Sequence, residues 1–142
     1  MTFNIFPALG LLVVAGLDYR FGWSPELDAW LQAAALVLPI LGNALFTWAM
    51  IANPFFSPGV RIQSDRGHKT ATGGPYRYIR HPGYAGFSVF NLVTPLVLGS
   101  LWASIPGAIL AVLFIIRTAL EDATLQKELE GYKEYAERLS IG

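Results

Sequence analysis

The chain has 142 residues, of which 54% are hydrophobic and 14% charged, against about 25% charged in an ordinary soluble domain. Lys and Arg number 10, as do Asp and Glu, so there is no charge excess to draw nucleic acid. Cysteine is absent and there are 2 histidines, which excludes disulfides, thiolate metal sites and a cysteine nucleophile and argues against structural zinc.

The length argues for a single domain, residues 1–142. In chain order, the block Phe3 to Leu17 is marginal for a membrane span. It lacks the positive flank of a signal peptide, so a transmembrane helix is expected. Ala29 to Ala52 (AWLQAAALVLPILGNALFTWAMIA) carries no charge and at about 1.5 Å per residue is long enough for about 30 Å of hydrocarbon. A mixed loop, 52–83, follows. The run Tyr84 to Ile116 is again uncharged and too long for one span. GSLWASIPG, Gly99 to Gly107, breaks it, predicting a helical hairpin over 84–120 whose second arm ends near Leu120. In the remainder, 121–142, Leu125, Leu129, Tyr132, Ala136 and Leu139 recur at helical spacing, the apolar face of an amphipathic helix. Gly131 should weaken or bend it. Its other face is mixed in charge with an acidic excess, so it should pack on the ends of the other helices, not on anionic lipid. The expected fold is all-α, a polytopic membrane protein with about four transmembrane helices.

Orientation follows from the basic residues of short loops. Segment 53–83 holds Arg61, Arg66, Lys69, Arg77 and Arg80 against Asp65, whereas 18–28 holds Arg20 against Asp18, Glu26 and Asp28. The first segment should be cytoplasmic, with 18–28 and 99–107 outside and both termini in the cytoplasm. Trp23, Trp30, Trp48 and Trp102 fall near predicted helix ends, where interfacial aromatics belong.

Two places carry residues that are costly in lipid. Arg117 directly follows AILAVLFII. Either it snorkels to the interface or it is a buried cation awaiting an anion. Glu121 lies one helical turn on, on the same face. Asp122 adds a second carboxylate beside the basic loop of Arg77, Arg80 and His81, charges that could converge on one cytoplasm-facing pocket. The loop 52–83 is long for a connection without function. Gly73-Gly74-Pro75 marks a turn, and Pro82 suits the first position of a helix whose free N–H groups would attract a carboxylate. The tyrosines of YRYIRHPGYAG read either as an interfacial belt or as the lining of a nucleotide-like pocket. In the second case Gly83 and Gly86 allow close approach, and the ring faces suit a sulfonium or ammonium cation.

GPYRYIRHPGYAG, a hairpin, RTALED and LxxELxGYxEY, in that order, resemble the isoprenylcysteine carboxyl methyltransferase family, within a wider group of membrane methyltransferases that includes phospholipid N-methyltransferases. The likeness covers about residues 53 to 138. It implies S-adenosylmethionine as cofactor, held at the cytoplasmic helix ends, and a lipophilic or lipidated acceptor drawn from the membrane. By the same resemblance, the cofactor contacts are Gln63; His68, Lys69, Thr70 and Ala71; Tyr76; His81, Pro82, Gly83 and Tyr84; and Glu121. Arg117 matches the arginine facing the acceptor. The chain departs from the family where Asp122 replaces a second glutamate and where the sequence stops at Gly142.

On that resemblance the expected reaction is carboxyl O-methylation of an isoprenylcysteine-like substrate, with Arg117 and Glu121 as catalytic residues and no metal. A carboxylate acceptor is anionic at neutral pH and needs alignment more than a base. The alternatives are a phospholipid or amine N-methyltransferase, an NADPH-dependent sterol-type reductase, and a non-enzymatic membrane module.

Overall fold

The computed structural model describes residues 5–56, 67 and 69–139. Gln63 and His68, two of the expected cofactor contacts, lie outside the described residues. Within them the chain is helical: α1 (Ile5–Phe21), α2 (Ala29–Ala35), α3 (Val37–Ala52), a 3-10 turn (Gly74–Arg77), α4 (Pro82–Val97), α5 (Ser104–Glu128) and α6 (Tyr132–Arg138). No strand occurs among the described residues.

Helices α2 and α3 form one nearly continuous rod, Ala29–Ala52, stepped at Leu36. Pro39 supplies the reason. It has no N–H for the Ala35 carbonyl, and its ring crowds that carbonyl. Among the described residues, the rod and α5 are the two helices long and apolar enough to cross a membrane. α1 and α4, of 17 and 16 residues, are shorter, near 25 Å at about 1.5 Å per residue. Leu, Ile, Val and Trp side chains stand exposed along α1, α3 and α5, a surface suited to lipid rather than water.

Three expected boundaries shift. α1 continues past Leu17 to Phe21. α5 does not stop near Leu120 but runs to Glu128, because RTALEDATLQKE contains no breaker and consists mostly of good helix formers. The first breaker is Gly131, at φ +80°, a left-handed conformation favoured by glycine. The segment 121–142 is therefore not one bent helix: its first part belongs to α5, and α6 is a separate two-turn piece.

The α3–α4 packing rests on two glycines. A Cβ on Gly42 would lie 2.5 Å from the Gly86 carbonyl oxygen, and one on Gly86 would strike the Gly42 carbonyl. The two backbones touch, so Gly86 serves helix packing rather than the ligand approach expected of it. The α4–α5 hairpin closes in a similar way: a Cβ on Gly107 would come 2.8 Å from the Asn91 carbonyl oxygen, the carbonyl that Pro95 leaves without its helical donor.

The two ends of the molecule differ. At one end Asp18, 2% exposed, accepts from the Ser24 backbone N–H at 2.7 Å and from the hydroxyls of Ser24 and Ser100. The Leu101 N–H in turn donates to Ser24 Oγ at 3.0 Å. This joins α1, the 22–28 loop and the α4–α5 turn. Trp23 and Trp102 stand exposed in these segments, and Trp30 at the start of α2. At the other end Lys69, Arg80 and His81 gather under α6.

Candidate functional site

The site is built where the 69–81 segment, the start of α4 and the end of α5 meet under α6. α6 presents Tyr132, Tyr135 and Ala136 inward; with Leu129 they pack against Ala49 and Tyr76, and Leu125 and Leu139 close the edges. Of these, Leu125, Leu129, Tyr132, Ala136 and Leu139 are the residues whose helical spacing predicted packing onto helix ends. Two hydroxyls fix the cover. Tyr135 Oη donates to the Tyr76 carbonyl at 2.7 Å, and Tyr132 Oη donates to Asp122 Oδ1 at 2.8 Å.

Beneath the cover is a pocket bordered by Lys69, Thr70, Ala71, Tyr76, Arg80, His81, Gly83, Tyr84, Glu121, Tyr132 and Tyr135, with Asn53, Phe55 and Phe56 at its side. Its free volume is about 50 Å³, far below the ~300 Å³ of an ordinary ligand site. A wider open groove of about 1030 Å³ adjoins it and shares Lys69, Thr70, Leu129 and Tyr135. The floor is aromatic. The Tyr84 ring lies 6.1 Å from His81, 6.2 Å from Phe56 and 5.9 Å from Phe114, and Phe46 and Phe87 extend the cluster. Gly83 is required here because a Cβ would meet the Phe56 ring at 2.8 Å.

Two polar atoms buried in this region have no hydrogen-bond partner among the described residues: Thr70 Oγ1 and Glu121 Oε2. Burying such groups without a partner costs about 1–3 kcal/mol each, more for a charge, so both are poised to take a ligand's donors. Arg117 Nε donates to Tyr84 Oη at 3.0 Å, and its guanidinium lies 5.6 Å from that ring's centre. It holds the tyrosine whose ring forms the pocket floor.

Burial raises the phenol pKa values of Tyr76, Tyr132 and Tyr135. At Tyr132 the hydrogen bond to Asp122 and its charge add to burial. At Tyr135 the charge of Tyr76 adds to it, and the value is pushed up to about 12. At Tyr76 the charge of Glu121 acts in the same direction as burial, while the bond from Asn53 opposes it. All three remain neutral through the physiological range, and Tyr132 and Tyr135 remain donors.

A second depression, of about 460 Å³, runs between α4 and α5 and is lined mainly by Ile79, Ala85, Ile115 and Ala119, with Ser88 and Thr118. Arg80, His81 and Tyr84 border both this groove and the aromatic pocket. They are the wall between the two. Arg80 Nη1 is 3.2 Å from both oxygens of Asp122, and His81 Nε2 is 3.1 Å from Oδ1.

The described part of the expected set thus divides. Lys69, Thr70, Ala71, Tyr76, His81, Gly83, Tyr84 and Glu121 border one pocket. Pro82 is buried as the first residue of α4 beside it. Arg117 reaches the site through Tyr84. Sequence reasoning did not single out Asn53, Phe56 or Phe114, and no spacing in the sequence signals them. Tyr135 entered only as the last residue of the LxxELxGYxEY motif, with no role given to it.

Comparison with known proteins follows the same ground. A model of the isoprenylcysteine carboxyl methyltransferase family matches residues 34–127. Protein-S-isoprenylcysteine O-methyltransferase B of Arabidopsis thaliana is 30% identical over 116 residues, 80% of this chain and 59% of that protein. The Schizosaccharomyces pombe protein-S-isoprenylcysteine O-methyltransferase is 32% identical over 114 residues, 78% and 48% respectively. The Rattus norvegicus one is 32% identical over 126 residues, 83% and 43%. The chain therefore spans about half the length of these relatives. No solved structure matches it.

Proposed function

The chain belongs to the isoprenylcysteine carboxyl methyltransferase family, and on that footing we propose that it methylates the carboxylate of an isoprenylcysteine-like lipophilic acceptor, with S-adenosylmethionine as donor. The observation that carries this reading is the buried, unpartnered Glu121 Oε2 in an aromatic pocket that backs directly onto an apolar groove. A water-soluble donor and a lipid-soluble acceptor need that adjacency.

The residues present suit the cofactor. Glu121 and Thr70 offer open hydrogen-bonding atoms, Tyr76, Tyr84 and His81 offer ring faces, and a cation near tyrosine faces is favoured. When bound, the cofactor supplies a methyl group already activated on a sulfonium. The chain's own task is alignment in a water-poor site, worth up to several kcal/mol in favourable cases. Glu121 anchors the cofactor's polar groups. Arg117 holds Tyr84 in the shared wall and brings positive charge close to it. Lys69, Ala71 and Gly83 shape the pocket, α6 excludes water from above, and Gln63 and His68 complete the cofactor contacts.

The same reading places α1, the α2–α3 rod, α4 and α5 across the membrane as four spans. α6 then lies amphipathically on the cytoplasmic side, with both termini there. Basic residues at the pocket end and three tryptophans at the other support it.

The test is S-adenosylhomocysteine binding to the full chain in lipid nanodiscs, with radiolabelled methyl transfer to an S-farnesylcysteine. Micromolar binding is expected, weakened at least about tenfold by Glu121→Gln. Absence of binding together with oxidation of NADPH would assign the fold to a reductase instead.

A further inference from the structure

We propose that Arg80, rather than Arg117, receives the acceptor's carboxylate, and that Asp122 is the resting partner it leaves to do so. This rests on the methyl-transfer reading above and names the residue that selects its acceptor.

The α4–α5 groove is apolar along most of its lining, and its charged groups, Arg80 and Asp122, stand with His81 at the wall shared with the aromatic pocket. A carboxylate sliding down such a groove loses its water and must find a cation there. Arg80 is the cation that lines the groove, and its side chain keeps 23% of its surface exposed. Arg117 does not line it. Its Nε is engaged by Tyr84 Oη and its guanidinium lies over that ring, so its charge acts through Tyr84.

The resting pair has an exchangeable form. One nitrogen, Arg80 Nη1, stands 3.2 Å from both Asp122 oxygens, instead of the two parallel bonds that a guanidinium forms with a well-seated carboxylate. Asp122 keeps other partners should Arg80 turn away: Tyr132 Oη at 2.8 Å, His81 Nε2 at 3.1 Å, and the side-chain amide of Gln126. Exchanging one carboxylate for another on Arg80 leaves no uncompensated cation, which is the costly outcome for a buried charge. The ion pair guards the groove while it is empty and yields to an anionic head.

The test uses the full chain in nanodiscs with two probes, N-acetyl-S-farnesylcysteine and its uncharged carboxamide, and S-adenosylhomocysteine as control. The wild type should bind the acid in preference to the amide. Arg80→Gln should weaken acid binding and raise its KM by about tenfold to a hundredfold, down to the level of the amide. Arg80 also borders the aromatic pocket, so S-adenosylhomocysteine affinity should fall, but far less than acid affinity, and an unchanged helical circular-dichroism spectrum shows that the fold is intact. Arg80→Lys should restore part of the preference and Asp122→Asn should keep it. Normal cofactor-product binding with the acid preference intact in Arg80→Gln but lost in Arg117→Gln overturns the assignment and leaves methyl transfer standing. Failure of the wild type to bind S-adenosylhomocysteine sinks both.

Discussion

The Tyr132 hydroxyl donates to Asp122 Oδ1 at 2.8 Å, and that one bond ties the short α6 to the last turns of α5. Two turns of helix have little stability of their own, so α6 stays over the pocket through its buried rings and its hydroxyl bonds. Tyr132→Phe keeps the ring and deletes the tie. It should loosen the cover, raising both the association and dissociation rates of S-adenosylhomocysteine severalfold while lowering stability by only about 1 kcal/mol. Stopped-flow fluorescence would read both rates, and unchanged rates would refute the latch.

Tyr135→Phe acts on the second tie, leaving the buried Tyr76 carbonyl without its 2.7 Å donor. A loss of about 1–3 kcal/mol is expected. Because the two ties hold the same helix, the double variant with Tyr132→Phe should depart from additivity. Thermal unfolding of the four species gives the cycle.

Gly86→Ala drives a methyl group into the Gly42 carbonyl. With backbone on both sides, neither helix yields cheaply, and a cost of about 1–3 kcal/mol or more is expected. Gly16→Ala, where nothing lies within 4 Å, should leave stability unchanged or raise it slightly. Equal melting temperatures for the two variants would contradict the backbone contact.

Alkaline solution should destabilise the fold. Burial raises the phenol pKa values of Tyr76, Tyr132 and Tyr135 from the ordinary 10.0, to about 12 at Tyr135. Above pH 10 the unfolded chain releases phenolic protons that the folded chain keeps, so stability falls as pH rises from about 10 toward 12. Below pH 10 these groups contribute no slope. Unfolding followed at a series of pH values, with Tyr135→Phe as control, checks this; the variant should show a shallower alkaline slope.

The helices themselves were legible in the sequence, because uncharged runs such as Ala29 to Ala52 leave few alternatives. Their ends were not. α5 passes smoothly from apolar to charged sequence at Arg117, and polarity is no helix breaker, so the true stop waited for Gly131. Within the site, motif residues such as Tyr84 and Glu121 could be named one at a time. The opposite charges of Arg80 and Asp122, 42 positions apart, suggested a shared pocket, but no spacing reveals that they form one wall, or that Phe56 and Phe114 complete the floor. Gly86 was misassigned for the same reason: a glycine that admits a ligand and one that admits a helix look alike until Gly42 is seen opposite.

The buried Asp18, bonded to Ser24 and Ser100, fastens the far ends of α1, α4 and α5, the end away from the chemistry. At the opposite ends α4 and α5 are joined by the Tyr84–Arg117 bond and the rings of Tyr84, Phe87 and Phe114. Just before α4, the Arg80–Asp122 contact is the link that the proposed exchange would open. On the proposed four-span reading, the two helices would work like tongs whose rivet lies in one leaflet and whose jaws lie in the other. On that same reading a long hydrocarbon tail would be admitted sideways between the jaws without disturbing the rivet.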